Sequence, residues 1–141
     1  GQIVNVSSIM GLIGAPSHAD YCASKFAVRG LTEALMTELI ETGVTAHLVH
    51  PGGIATNIGF INGEETAFSK HYLTTTSEDI AYYVRDSLIK GKAKIVYGRG
   101  SLKTWLGSNW VPLRWLSKIV WRDIKPTLDM NLYAAAIKKS P

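Results

Sequence analysis

Cysteine is nearly absent from this sequence: Cys22 stands alone among 141 residues. One thiol cannot close an internal disulfide and offers no metal-ligand spacing, so a reducing compartment and a cytoplasmic location are expected. Long hydrophobic runs are missing as well. No stretch approaches the roughly 18 apolar residues that cross a bilayer, and no signal-peptide pattern opens the chain. Acids are scarce after position 84, where twelve basic groups face three acidic ones; before it, three face eight. Such a basic tail suits an anionic lipid surface, nucleic acid or another subunit, or else a solvated face. The chain opens "GQIVNV", without a methionine and directly in a strand. That reads as part of a longer protein.

What is present is enough apolar material, 46% against 18% charged, to build a core. "QIVNVSS" (2–8) is a short β-branched run stopped by serines and predicts a buried strand. "LIGAPS" follows as a loop. Ser17 and Asp20 are placed to cap a helix over about 20–42, ended by Gly43 at the C′ position. Its apolar stripe is Ala27, Leu31, Ala34, Leu35 and Leu39. "VTAHLVHPGG" (44–53) gives a second buried strand ending at Pro51, and His47 and His50, three apart on it, face opposite sides. Residues 54–75 lack a period and read as a mobile connection with at most short helical turns. Thr75 to Glu78 forms a capping pattern before a helix whose inward stripe is Ile80, Val84 and Leu88. "KAKIVYG" (92–98) is a third strand. Strand–helix–strand–helix–strand implies a parallel α/β sheet with right-handed crossovers. Three strands are a thin sheet, leaving one edge and part of a face uncovered.

Within "SSIMGLIGAPSHADYCASK" (7–25), Ser8 lies thirteen positions before Tyr21, and Lys25 follows it by four. One helical turn puts the tyrosine and lysine on a common face. A phenol ordinarily ionises near pH 10. An ammonium within about 4–6 Å favours the phenolate and can lower that value by about one to three units, toward a useful acid/base. Tyr-x-x-x-Lys alone is a weak signal. The surrounding pattern strengthens it.

"NVSSIMG", then "YCASK", then "HPGGIATNI" on the next strand end resembles the short-chain dehydrogenase/reductase family, in particular its single-domain members. The likeness is strong over 1–58 and extends to about 98 through the element order. It implies the C-terminal part of a doubly wound, Rossmann-type α/β fold with a helical tail. By that resemblance Ser8 would orient the substrate oxygen, Tyr21 would be the acid/base, and Lys25 would assist it and bind the nicotinamide ribose. Tyr21, Lys25, Pro51, Gly52, Ile54 and Thr56 would contact NAD or NADP, with the choice between them unreadable. The glycine-rich pyrophosphate turn, the NAD/NADP selector, the "NAG" segment and the family's catalytic asparagine have no counterpart here. "GLIG" (11–14) and "GRG" (98–100) do not lie between a first strand and its helix. The implied activity is interconversion of an alcohol with a ketone or aldehyde, of a lipophilic steroid, retinoid or acyl type. The isolated chain is expected to be inactive. The alternative is a catalytically silent nucleotide-binding or scaffolding relative, or an inactive truncated fragment.

Met10, Ile13 and His18 are candidate substrate-pocket residues, and no metal site is expected. Two parts are expected: 1–99, the second half of the catalytic domain, and 100–141, a basic tail holding Trp105, Trp110, Trp115 and Trp121. Pro112 can start a helix through about Arg122 with Arg114, Lys118 and Arg122 on one face and Leu113, Leu116 and Val120 on another. Three readings stay open for it: a peripheral membrane contact through 102–125, a cover over the pocket or subunit contact, and simple packing on the sheet. Nucleic acid is disfavoured, because the basic residues track an apolar helix face without a reading motif. A homodimer or tetramer is expected by resemblance.

Overall fold

The computed structural model describes residues 1–61 and 63–131. Three parallel strands form its sheet: β1 (Gln2–Val6), β2 (Thr45–Pro51) and β5 (Lys94–Tyr97), in the order β1-β2-β5. Helix α1 (Ala19–Glu38) connects β1 to β2, and α3 (Ser77–Ile89) leads into β5. Between them lie a two-stranded hairpin, β3 (Phe60–Ile61) and β4 (Glu64–Glu65), and the short α2 (Ala67–Tyr72). The connection at 54–75 is thus more structured than expected, although Asn62 lies outside the described residues. Two helices follow β5, α4 (Ser101–Trp110) and α5 (Leu113–Ile124). The end of the expected tail, 132–141, also lies outside the described residues.

Strand β2 is buried from Ala46 through Pro51 because it has a neighbour on each side and helices over the sheet. β1 corrects the expectation of a buried strand. Val6 is 54% exposed, and Ile3 and Val4 are exposed too, because only β2 pairs with β1. An apolar run specifies a strand, but burial also needs something to lie against it.

The register of α1 on the sheet also differs from expectation. Cys22 and Thr32 face inward and are buried, while Ala27, Leu31 and Ala34 are exposed. Polar contacts set this orientation: the Asn5 amide donates to the Thr32 hydroxyl at 3.1 Å, and Ser7 donates to the Lys25 carbonyl at 2.8 Å. Glu33 takes Arg29 at 2.9 Å and Lys94 of β5 at 3.5 Å, joining helix to sheet. The helix ends at Glu38, before Gly43, because the Thr42 hydroxyl donates to the Leu39 carbonyl and accepts from the Val44 amide, turning the chain early. Its N-cap is His18, without a side-chain cap bond, rather than Ser17, which sits at φ 61° in the left-handed region. On α3 the cap is Thr76, accepting from Asp79, because Thr75 instead accepts from the Arg99 amide.

A second cluster lies outside the sheet. Val120 and Ile124 of α5 pack with Ala15 and Cys22, and Met10, Ile13, Phe68, Leu116 and Leu128 surround them. Leu113, expected on that stripe, is 77% exposed; Ile124, one turn beyond Val120, is buried there. The core therefore depends most on β2. Leu48→Ala, at a fully buried position, is expected to cost about 2–5 kcal/mol of stability, read as a lowered urea midpoint.

Candidate active site

The strand ends set the site. After β1 the chain makes a 3-10 turn, Ile9–Gly11, with Ser8 as its N-cap; the Ser8 Oγ accepts from the Met10 amide at 3.1 Å. Ser7 ties the same strand end to α1 at Lys25, and Gly11 allows the close approach. A Cβ at Gly11 would collide with the Ser7 hydroxyl and the Lys25 carbonyl. Tyr21 and Lys25 share the adjoining face of α1, with the Lys25 Nζ 5.5 Å from the Tyr21 ring centroid. That ammonium also donates to the Val6 carbonyl at 3.4 Å. Its charge is therefore held between strand end and tyrosine.

The end of β2 supplies a second wall. Pro51 and Gly52 are buried, and the Gly52 amide donates to the Tyr97 carbonyl at 2.6 Å. The following residues cross between two other backbone segments: Gly53 N–H donates to the Arg99 carbonyl at 3.3 Å, and the Gly53 carbonyl accepts from Thr75 at 3.0 Å. A side chain at Gly52 would meet the Arg99 backbone, and one at Gly53 the Tyr72 backbone. Ile54 is half-buried and Thr56 exposed, and the Thr56 hydroxyl has no hydrogen-bond partner among the described residues.

Ser8, Tyr21, Pro51, Gly52, Ile54 and Thr56 line one cavity of about 1670 Å³. So do Met10, Ile13 and His18, the last with Nδ1 2.9 Å from the Pro16 carbonyl and its ring 5.1 Å from that of Phe68. Lys25 stands behind Tyr21 rather than on the cavity wall. Strand ends at the carboxyl edge of an open parallel sheet are where such α/β folds take ligands.

Sequence reasoning missed two participants. The first is His50, fully buried on β2, whose Nδ1 is 2.7 Å from the Ser8 carbonyl. A carbonyl only accepts, so Nδ1 carries the proton, leaving Nε2 without a partner among the described residues. Burial pushes the imidazole below its ordinary ionisation range, outweighing the opposite effect of the Ser8 carbonyl; Lys94 and Arg29 add to the lowering. The second is Tyr72, on the far wall, which donates to the Asp123 carbonyl at 2.8 Å and so straps α2 to α5. Burial, followed by the proximity of Asp123, pushes this phenol up to about 12, which unsuits it for acid/base work near neutrality.

Residues 1–65 match the family model for short chain dehydrogenases. The oxidoreductase SadH of Mycobacterium tuberculosis is 38% identical over 109 residues, which cover 70% of this chain and 40% of SadH. This chain belongs to the short-chain dehydrogenase/reductase family. A 3beta-hydroxysteroid dehydrogenase of Mediterraneibacter gnavus is similar to this family member at 33% identity over 94 residues, covering 67% of the chain and 34% of that enzyme. The crystal structure of a short chain dehydrogenase from Burkholderia cenocepacia in complex with NADP shares the fold, with TM-score 0.69 at 24% identity over 84% of this chain and 46% of that one. The short-chain dehydrogenase/reductase chain described here spans about two fifths of the length of the curated relatives it matches.

Two tests follow from the backbone and from His50. Gly53→Ala is expected to cost several kcal/mol or displace the Pro51–Thr56 segment, read by thermal melting and amide exchange. For His50, the folded pKa lies below the unfolded one, so the unfolded chain binds more protons. Stability is then full above about pH 6.5 and falls as pH drops through that value. Urea midpoints measured from pH 7 downward should show that slope, and His50→Leu should flatten it.

Proposed function

We propose that this chain carries the catalytic part of an NAD(P)-dependent oxidoreductase that interconverts an alcohol with a ketone or aldehyde of a lipophilic compound. The single observation that carries the reading is the convergence of Ser8, Tyr21 and Pro51–Thr56 on one cavity, with the Lys25 ammonium 5.5 Å from the Tyr21 ring. Ser8 would donate its hydroxyl proton to the substrate oxygen while Met10 holds its lone pair. Tyr21 would exchange a proton with the same oxygen, and the positive charge of Lys25 would favour the phenolate form. His50 positions Ser8 from behind, through the main-chain carbonyl.

The residues present fit the nicotinamide end of the cofactor. Pro51 and Gly52 form a buried floor, Thr56 offers a hydroxyl without an internal partner, and Lys25 offers a cation beside the tyrosine. Tyr21, Lys25, Pro51, Gly52, Ile54 and Thr56 would hold that end, and the bound cofactor would supply hydride chemistry at the carbon bearing the oxygen. Among the described residues no glycine-rich turn lies between a strand and its helix to take the pyrophosphate, and turnover is proposed for the whole protein.

A steroid, retinoid or acyl carbonyl suits the cavity, whose wall includes Met10, Ile13, Phe68, Leu106, Trp110 and Leu116. The similarity to a 3beta-hydroxysteroid dehydrogenase points the same way. Residues 1–99 would form the chemical half and 100–141 a basic, tryptophan-rich helical tail. The exposed Phe26 and Leu31 on α1 suit a homodimer or tetramer built on that helix. A cytoplasmic protein with peripheral attachment through 102–125 fits the basic tail.

In the whole protein, NADH or NADPH oxidation with a panel of lipophilic ketones is the test. Tyr21→Phe is expected to lower kcat by about 10²–10⁴ with the fold intact by circular dichroism. Undiminished turnover by that variant would exclude Tyr21 as the acid/base.

A further inference from the structure

The lining residues that remain exposed mark where the cavity meets solvent, and they are large and apolar. Ile58, beyond β2, is 71% exposed; Leu106 and Trp110 of α4 and Ile119 of α5 are exposed as well, Trp110 at 81%. On α4, Leu102, Leu106 and Trp110 recur every four residues, so the apolar rim continues as a stripe along the outside of the helix. An entrance built only to admit solute from water has no need of exposed tryptophan and isoleucine around it. Contiguous exposed apolar surface marks a place where something docks.

The charges beside the rim select the occupant. Lys103 lies on the same helix and lines the cavity, as do Arg99, Asp20, Asp123 and Asp129, so the excess of cations comes from the outer face of α5. On α5, Arg114, Lys118 and Arg122 project outward in successive turns, with Trp115 among them; the Lys118 Nζ stands 5.0 Å from the Trp115 ring. None of Lys103, Arg114, Lys118 and Arg122 forms an ion pair among the described residues. Tryptophan together with lysine and arginine at the margin of an apolar patch matches the chemistry of a bilayer interface. No described helix is long and apolar enough to cross a membrane, so the contact is with the surface.

We propose that the mouth of the cavity docks on an anionic lipid bilayer, with Ile58, Leu106, Trp110 and Ile119 in the acyl boundary and Lys103, Lys118 and Arg122 at the headgroups. A lipophilic substrate then enters from the membrane without crossing water. The identity of what enters rests on the oxidoreductase reading above; the docking itself does not.

The test is co-sedimentation of the full chain with vesicles of phosphatidylcholine, with and without phosphatidylserine. Binding is expected to the phosphatidylserine vesicles and to weaken as salt rises. Each basic residue near such a surface contributes about a five-fold gain in partitioning. The pair Lys118→Glu and Arg122→Glu should therefore lower binding by at least about twenty-fold. Leu106→Ser with Trp110→Ser should lower it at all salt concentrations. These side chains are outside the core, so circular dichroism should stay unchanged. A third pair, Lys90→Glu with Lys92→Glu, reverses the same charge elsewhere and should leave binding near the wild-type value.

Failure to bind phosphatidylserine vesicles would overturn the proposal. So would equal losses from the two charge-reversed pairs, which indicate bulk charge alone. A dimer in solution that the Leu106→Ser/Trp110→Ser pair dissociates would assign the patch to a second copy and also overturn it. Because binding is read without turnover, loss of vesicle binding and loss of ketone reduction in the whole protein are separate results.

Discussion

Where β1 ends, the chain passes two serines, one 3-10 turn and a loop before α1 begins, and the position of Tyr21 relative to Ser8 depends on how that passage is held. The hold is the Ser7 hydroxyl on the Lys25 carbonyl, at 2.8 Å, with Gly11 pressed into the same contact. It fixes the first turns of α1 against the strand end at the helical turn that carries the lysine. The Lys25 side chain closes the loop by reaching back to the Val6 carbonyl. Two consecutive serines thus divide their work. Ser7 fixes helix to strand, and Ser8, turned the other way, faces the cavity.

The outer part of the cavity is built on a different logic. Its members come from distant stretches of the chain: α2 and α5 meet through Phe68, Leu116 and Val120, and the Tyr72–Asp123 bond spans 51 positions. The inner wall is made of backbone hydrogen bonds between strand ends, while the outer wall is made of side-chain packing. The first fixes the floor of the cavity, and the second sets its outer shape.

The legibility of these two parts in the sequence follows from that difference. That Ser8, Tyr21 and the Pro51–Thr56 segment meet at one cavity, with Lys25 beside Tyr21, is legible because the three motifs fall at strand ends and on the helix between them, in order. β2 is readable because Ala46, Leu48 and Val49 give the mostly apolar run that a strand paired on both sides favours. The exposure of β1 was not readable, since a β-branched run does not say how many neighbours it has. The inward face of α1 was misread because polar groups, Thr32 and the Lys25 carbonyl, draw it to the sheet, leaving Leu31 outside. Helix α4 went unseen because Gly100 and Gly107 interrupt its pattern, yet Gly100, at φ 75°, is what turns the chain into it. His50 was invisible for a simpler reason: its partner is a main-chain carbonyl 42 positions away.

Gly52 and Gly53 run through a gap between the Arg99 and Tyr72 main chains that leaves no space for a methyl group. Any heavier residue at either position must displace a neighbouring main-chain segment, so drift at these positions is sterically blocked. Leu106, Trp110 and Ile119 face open space and can be exchanged singly. Over evolutionary time such a molecule can vary the rim of its cavity while the floor at Gly52 and Gly53 stays put, because the two are written in parts of the chain with very different tolerance for change.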